Sequence, residues 1–503
     1  MLYPRLLLEV LYLVNITFLA AYGLNALILA GLRRWLFKPV PILSAGPEYD
    51  WPRVTVQLPV YNERHVVERL LKSVAALDYP RQRLQIQVLD DSTDVTSEMI
   101  AKITSALQHD DLNIDHIQRN NRQGFKGGAL EHGMATAVGE FIAIFDADFL
   151  PPVNFLKCTL PYFNQDARTG CVQTRWGHLN RENSLLTRAQ ATSIDGHFVI
   201  EQETRSQKKL FLNFNGTAGI WRKECIEDAG GWQHYTLTED LYLSYRAQLR
   251  GWKIQYLPHM ISPAELPTQI QAFKTQQFRW AKGSIQTARK LLPALWRSSQ
   301  PLVVKIEGTL HLTNYFVHPM MLLNLLLVLP LLINGNFLLN FYPVFTIAAT
   351  GPLLMYMSAM SLRSIPLARR LFNLLMLVLV GTGLSLNNSR AVGEALLSIH
   401  SPFKRTAKYD LNNNSVPGKV LDYQLPRDRS NWIELGFSIY AMLLLLLSIQ
   451  HENWGLVIWL SLFSAGYTYI AGLGFQQSLN EKKPVSPAEE AMAISQSPNH
   501  GQD

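Results

Sequence analysis

Asp146-Ala147-Asp148 places two carboxylates two residues apart, directly after the apolar run 141–145 (FIAIF). At the end of a strand that spacing aims both carboxylates to one side. Adjacent carboxylates repel unless a cation sits between them, and hard cations such as Mg²⁺ or Mn²⁺ take carboxylate oxygens and bridge to phosphate. A lone Asp-x-Asp is equally well a solvated loop. Here it follows PVYNE at 59–63 and the pair Asp90–Asp91, each after its own apolar run, and the set favours a metal and phosphate site. Lys126, beside Gly124, Gly127 and Gly128, can reach a phosphate over an open backbone, although a lysine in a turn is commonplace. Thr238-Glu239-Asp240 opens a predicted helix. Acidic residues suit a helix start without any function; the functional alternative is a carboxylate base aimed into a site. Gln276, Arg279 and Trp280 share one face of an amphipathic helix. A guanidinium and an indole N–H can hold a diphosphate, and an interfacial anchor is the plainer alternative. The dinucleotide and P-loop glycine patterns are absent from the sequence.

The elements that must position these residues alternate. Strands are predicted at 54–58, 86–89 and 141–145, with helical spacing at Val66, Val67, Leu70, Leu71 and Val74, at 95–107, and from Gly124–Gly128 to about 138. The stretch between 107 and 123 reads as polar. Such alternation builds a parallel sheet with helices on both faces, whose ligands bind at the carboxyl ends of the strands. Three of those ends carry PVYNE, Asp90–Asp91 and the Asp146–Asp148 pair.

The 503 residues are 48% hydrophobic and 17% charged, but the apolar residues are unevenly spread. Residues 50–310 read as an ordinary α/β domain. Residues 6–31 form an apolar run long enough to cross a bilayer, followed at once by Arg33, Arg34 and Lys38. Lysine and arginine mark the cytoplasmic side, which puts the N-terminus outside and the α/β domain in the cytoplasm. Further crossings are expected at 313–333, 341–362, 436–450 and 455–475, with 371–400 lying along the inner interface, apolar first and polar later. The tail 484–503 reads as disordered. The organisation is thus an anchor at 1–32, an α/β domain at 50–310, and membrane and interfacial helices over 311–475. Cys158, Cys171 and Cys225 have no metal or disulfide spacing, as suits a reducing compartment. The formal charge of +7 lies in loops rather than in a basic-aromatic stretch, which excludes a nucleic-acid partner and leaves membrane lipids as one.

Taken together, Asp90/Asp91, Asp146-Ala147-Asp148, Thr238-Glu239-Asp240 and Gln276-x-x-Arg279-Trp280 resemble the processive family 2 glycosyltransferases. Those enzymes fuse a GT-A catalytic domain, an α/β nucleotide-diphospho-sugar fold, to a bundle of transmembrane helices. QVLDDSTD (87–94), FDADF (145–149), FNGTAGIWR (214–222) and QQFRW (276–280) look most like the cellulose synthase-like A and C branch, the mannan, glucomannan and xyloglucan-backbone enzymes. The resemblance covers about residues 50–410. It implies that Tyr61, Glu63, Asp90 and Asp91 hold the nucleoside, Lys126 the diphosphate, and Asp146 and Asp148 the nucleotide sugar and its Mg²⁺ or Mn²⁺. Asp240, beside Glu239, would be the base, and Gln276, Arg279 and Trp280 would steady the diphosphate and acceptor end. Phe214, Asn215, Gly216 and Thr217 match the acceptor-side loop, with Asn215 where cellulose synthases carry Cys. Phe403-x-x-Thr406-x-Lys408 resembles a cytosolic gating loop, placed here at 401–410. Trp176 stands where cellulose synthases carry a metal-contacting His, and His178 lies two residues on. Trp176, Trp221 and Trp232 are candidates to stack on a sugar's apolar face.

The function expected is an inverting polymerase. It would extend a β-1,4-linked glucan or mannan from UDP-glucose or GDP-mannose and pass the growing polysaccharide through its own helices, in a bacterial inner membrane. A non-processive transferase adding one hexose to a lipid acceptor shares the nucleotide chemistry. An inactive transporter or scaffold is disfavoured by the complete acidic set.

Overall fold

The computed structural model describes residues 2–43, 46, 49–333, 342–401, 406, 408–410 and 429–480. The strands are β1 (Val54–Val60), β2 (Leu84–Asp90), β3 (Ile114–Gln118), β4 (Phe141–Ile144), β5 (Thr169–His178), β6 (Gly219–Arg222) and β7 (Lys253–Ala264). They form one mixed sheet in the order β3-β2-β1-β4-β6-β5-β7. The first four run parallel, β6 is antiparallel to both its neighbours, and β5 and β7 are parallel. Val54, Val56, Leu58, Ile86 and Val88 are fully buried, as expected of central strands covered on both faces. This is the GT-A mixed sheet that the resemblance implied.

The placement of β1, β2 and β4 as neighbours brings their carboxyl ends together, and with them PVYNE, Asp90–Asp91 and the Asp146–Asp148 pair. β3 was not foreseen, because the segment reads as polar. It is an edge strand whose central residues Asp115, His116 and Ile117 are only half-buried, so it lacks the apolar signature of its neighbours.

A helix of 28 residues, Ile270–Arg297, connects the sheet to the apolar helices. It carries the Gln276–Trp280 motif and is fastened on both sides of it by buried ion pairs. Lys274 Nζ lies 2.7 Å from Glu434 Oε2, with side-chain exposures of 3% and 1%. Lys282 Nζ lies 2.9 Å from Glu394 Oε2 and also donates to the Ile399 carbonyl. Removing one partner strands the other charge, which costs about 3–5 kcal/mol. Glu434→Ala is therefore expected to lower the melting temperature in detergent, with Lys274→Met in the same chain recovering much of the loss. A Cβ on Gly283 would sit 2.6 Å from the Thr238 side chain, so glycine there lets this helix press against the start of the helix Glu239–Leu249.

Among the described residues, four helices are long and apolar enough to cross a membrane: Leu6–Trp35, Asn314–Ile333, Ser430–Gln450 and Trp454–Leu479. The helix Tyr342–Leu362 packs along the N-terminal one. The single interfacial helix expected over 371–400 is instead two helices, Leu367–Gly383 and Ser385–Leu396, bent by 45°. The first packs against the helix Trp454–Asn480 and against Leu185–Gly196 of the α/β part; the second packs against Ile270–Arg297. The break follows composition: the first half is apolar, whereas Asn387 and Asn388 in the second find polar partners in the Lys274 carbonyl and His318. Phe403 and the tail 484–503 lie outside the described residues.

Candidate active site

The turn after β1 carries Tyr61 and Glu63 into one pocket with Asp91, Lys126, Asp146 and Asp148. Its shape is set by bonds to the turn after β2. The Asn62 N–H donates to Ser92 Oγ at 2.9 Å, and the Thr93 N–H donates to Asn62 Oδ1 at 2.8 Å. Asn62 has φ of 55°, which an Asn tolerates better than most residues. Arg122 lays its guanidinium over the Tyr61 ring, 3.2 Å from the centroid.

Asp90 and Asp91 have different fates. Asp90 turns inward and does not line the pocket. Its oxygens accept from the Ser92 N–H, Ser97 Oγ, His116 Nε2 and Gln118 Nε2. Burial pushes this carboxyl up, and the His116 and serine bonds outweigh it, leaving the group at about 2. The expectation that Asp90 contacts a nucleoside is therefore corrected: its ring of internal partners makes it the brace of the β2 turn. Asp91 lines the pocket, gripped by both arms of Arg119 at 2.9 and 2.5 Å. Arg119 and Arg122 flank the site unforeseen, because they follow the unrecognised β3.

Lys126 enters from the first turn of the helix Phe125–Met134. Its Nζ reaches Asp146 Oδ1 at 2.5 Å and the Gly216 carbonyl at 2.9 Å. Asp148 Oδ2 accepts from Lys408 Nζ at 2.6 Å, and Lys408 also donates to the Glu265 carbonyl. Thr406 and Lys408 thus line the same pocket as the carboxylates. Asp146 and Asp148 suit a hard cation, which takes one or two carboxylates and completes its shell with phosphate and water. Among the described residues no third His, Cys, Asp or Glu joins them as a ligand group. His178 borders the same pocket, but its side chain is turned to Asp195. That side chain is 3% exposed, and Asp195 also binds Arg181 and Arg363.

Glu239 and Asp240 begin their helix on the pocket's far side, facing Lys126. Burial pushes the Asp240 carboxyl up, the Glu239 charge adds to it, and Lys126 opposes both, leaving it at about 7. Glu239 is also raised by burial, against the pull of Lys126. A Cβ on Gly216 would lie 2.9 Å from Asp240 Oδ2, so the positive φ of 82° and the missing side chain both serve this close approach.

The acceptor-side loop divides. Asn215 and Gly216 line the pocket. Phe214 is fully buried against Trp221, and Thr217 is buried, its Oγ accepting from the Asp146 N–H. Both are framework rather than pocket wall, which corrects their expected contact with an acceptor. Trp221 and Trp232 belong to the core and are corrected likewise. Trp176 does line the pocket, edge-on to Phe149, with its buried indole N–H unpartnered among the described residues. Gln276, Arg279 and Trp280 close one side, and Gln276 and Trp280 also border a cavity of about 660 Å³ among the apolar helices.

A family model described as glycosyltransferase like family 2 matches residues 52–283. Probable glucomannan 4-beta-mannosyltransferase 7 of Oryza sativa subsp. japonica is 33% identical over 459 residues, covering 87% of this chain and 76% of the relative. Glucomannan 4-beta-mannosyltransferase 2 of Arabidopsis thaliana is 32% identical, covering 88% and 84%. A solved mannosyltransferase from Pyrobaculum calidifontis, in complex with GDP-Man and Mn²⁺, shares the fold at a TM-score of 0.55 and 22% identity, covering 78% of this chain and all of that one. The chain belongs to glycosyltransferase family 2, with the glucomannan 4-beta-mannosyltransferases of the cellulose synthase-like A family, and is a hexosyltransferase.

Proposed function

We propose that the chain polymerises a β-1,4-linked mannan backbone from GDP-mannose and passes it into the cavity among its apolar helices, with the α/β part on the cytoplasmic side of a bacterial inner membrane. One observation carries this reading: the acidic pocket and the cavity share Gln276, Trp280 and Ile194 in their walls, which supports a product that enters the cavity as it is extended. The mannosyl donor is supported by the relatives, whose names are glucomannan 4-beta-mannosyltransferases.

In this mechanism Asp240 takes the proton of the acceptor hydroxyl as that oxygen bonds to C1 of the donor sugar. The bond from C1 to the diphosphate breaks in the same displacement, with inversion. An ionised base within reach of the proton is what general-base catalysis needs, and a group near 7 is suited to neutral pH. Negative charge grows on the leaving diphosphate, where Lys126 and Arg279 stabilise it. Asp146 and Asp148 would hold Mg²⁺ or Mn²⁺, which supplies Lewis-acid stabilisation of the same diphosphate when bound. Tyr61, Glu63 and Asp91 form the nucleoside end, and Trp176 offers an aromatic face to a sugar. Thr406 and Lys408 close the pocket over the carboxylates.

The test is label incorporation by the purified full chain in lipid nanodiscs with Mn²⁺. GDP-[¹⁴C]mannose is expected to give ethanol-insoluble label that β-mannanase releases, and UDP-[¹⁴C]glucose much less. Label confined to a chloroform-soluble fraction would replace the polymer by a glycolipid.

A further inference from the structure

His197 lies on a short π-helical stretch, His197–Gln202, between the helix Leu185–Gly196 and the segment Glu203–Gln207. Such widened turns are rare and concentrate where a side chain must be re-aimed. Here the His197 ring spans two regions. Its Nδ1 is 2.9 Å from Glu201 Oε2, and its Nε2 is 3.0 Å from Asn215 Oδ1. Glu201 borders the cavity among the apolar helices, whereas Asn215 borders the acidic pocket. The ring therefore bridges the wall where the two meet.

The direction of the bonds is fixed by their neighbours. Gln202 Nε2 donates to the Asn213 carbonyl and to Asn213 Oδ1, at 2.9 and 3.1 Å. That turns the Asn213 amide so that its Nδ2 donates to Asn215 Oδ1 at 2.8 Å. Asn215 Oδ1 is thus an acceptor twice over, and its backbone N–H is held by Gln173 Oε1 at 2.8 Å. Glu201 is an acceptor too, kept ionised because His197, Arg205 and His311 outweigh the cost of its burial. Both ring nitrogens of His197 face acceptors, and the Nε2 side meets Asn215 Oδ1 as a donor. Among the described residues, the Asn215 NH2 group is held only by a long contact of 3.4 Å to the Asn213 carbonyl.

We infer that His197 is a positioning residue for the acceptor, holding the Asn215 amide so that its NH2 group meets a hydroxyl of the terminal sugar at the mouth of the cavity. Glu201 fixes the ring, and Arg205, bound to both Glu201 and Glu307, fixes Glu201. The ligand class is the end of a β-linked hexose chain, and the inference rests on the polymerase reading above. A side-chain amide held by His197 and Asn213, on a backbone held by Gln173, loses little entropy on binding, which is how a preorganised donor gains affinity.

The experiment measures transfer from GDP-[¹⁴C]mannose to β-1,4-mannohexaose by the full chain in nanodiscs. His197→Ala is expected to raise the acceptor KM about tenfold or more while the donor KM moves less than twofold. Asn215→Ala should give the same acceptor defect, and the double variant should add little to it, as coupled residues do. His197→Gln, which retains an N–H facing Asn215, should recover much of the acceptor affinity and also serves should the alanine variant fail to fold. An unchanged acceptor KM, equal rises in both KM values, or additive single effects would overturn the inference. A wild type that ignores GDP-mannose strikes the proposed donor instead, and the same comparison is then made with the donor it uses.

Discussion

Asp240→Asn is expected to lower the transfer rate by roughly 10³-fold while leaving nucleotide-sugar binding within a few-fold of the wild type. General-base catalysis contributes about 10²–10⁴, and an amide nearly the size of the carboxylate leaves the space beside Gly216 filled. The loss should fall on kcat rather than on the donor KM, because the base acts on the acceptor hydroxyl. The pH dependence gives the sharper test. Burial and the Glu239 charge raise the Asp240 carboxyl to about 7 against Lys126. Only the ionised form accepts the proton, so kcat/KM should climb as the pH rises through that value. Glu239→Gln removes the neighbouring charge, favours the carboxylate form, and should move the acid limb downward. Stability runs the other way. A folded carboxyl raised above its unfolded value of 3.8 contributes most below that value, and its contribution is lost as the pH rises through about 7. The gain in activity across that interval is therefore expected to coincide with a small fall in melting temperature, and Asp240→Asn should flatten that fall.

The parts of this fold that could be read from sequence are those with one dominant signal. β1, β2 and β4 are almost wholly buried and mostly apolar, and each ends in a polar cluster that a solvated loop would not need. Asp146, Asp148, Glu239, Asp240 and Arg279 were legible because chemistry demands their types, and all five line one pocket. What stayed hidden depends on partners distant in sequence. β3 is an edge strand with polar side chains, so periodicity does not mark it, and Arg119 and Arg122 were lost with it. Asp90 and Asp91 are indistinguishable as letters, yet successive residues on a strand face opposite ways. One turns inward to His116 and the other outward to Arg119. Trp221 and Trp232 show the same limit: an indole suits a sugar or a core, and only the packing around it decides. His197 carried no signal at all, because its meaning rests on Asn215, 18 residues away, and on a local π-helical turn.

Lys126→Met is expected to cost about 10²–10³ in kcat/KM, the effect usually seen when one fixed donor to a developing anion is removed. The argument begins with where the charge sits. Lys126 Nζ is 2.5 Å from Asp146 and is drawn toward Glu239 and Asp240 as well, so one cation faces three carboxylates. Burial alone would favour its neutral form, and the carboxylates reverse that, holding the ammonium charged. Methionine keeps the length and apolar stem of the side chain but supplies neither the charge nor the bond to the Gly216 carbonyl. Two consequences separate this variant from Asp240→Asn. The loss should include donor affinity, since the departing diphosphate is bound by the same ammonium before and during transfer. The acid limb of kcat/KM should also move to higher pH, because Lys126 is the cation that opposes the upward push on Asp240. Lys126→Arg should recover little: the longer, planar guanidinium carries its charge past the point where Nζ now meets both Asp146 and the Gly216 carbonyl. A Lys126→Met enzyme with normal donor KM and an unmoved acid limb would show that Asp240 is tuned by Glu239 and burial alone, and would take Lys126 out of both the binding and the proton-transfer steps.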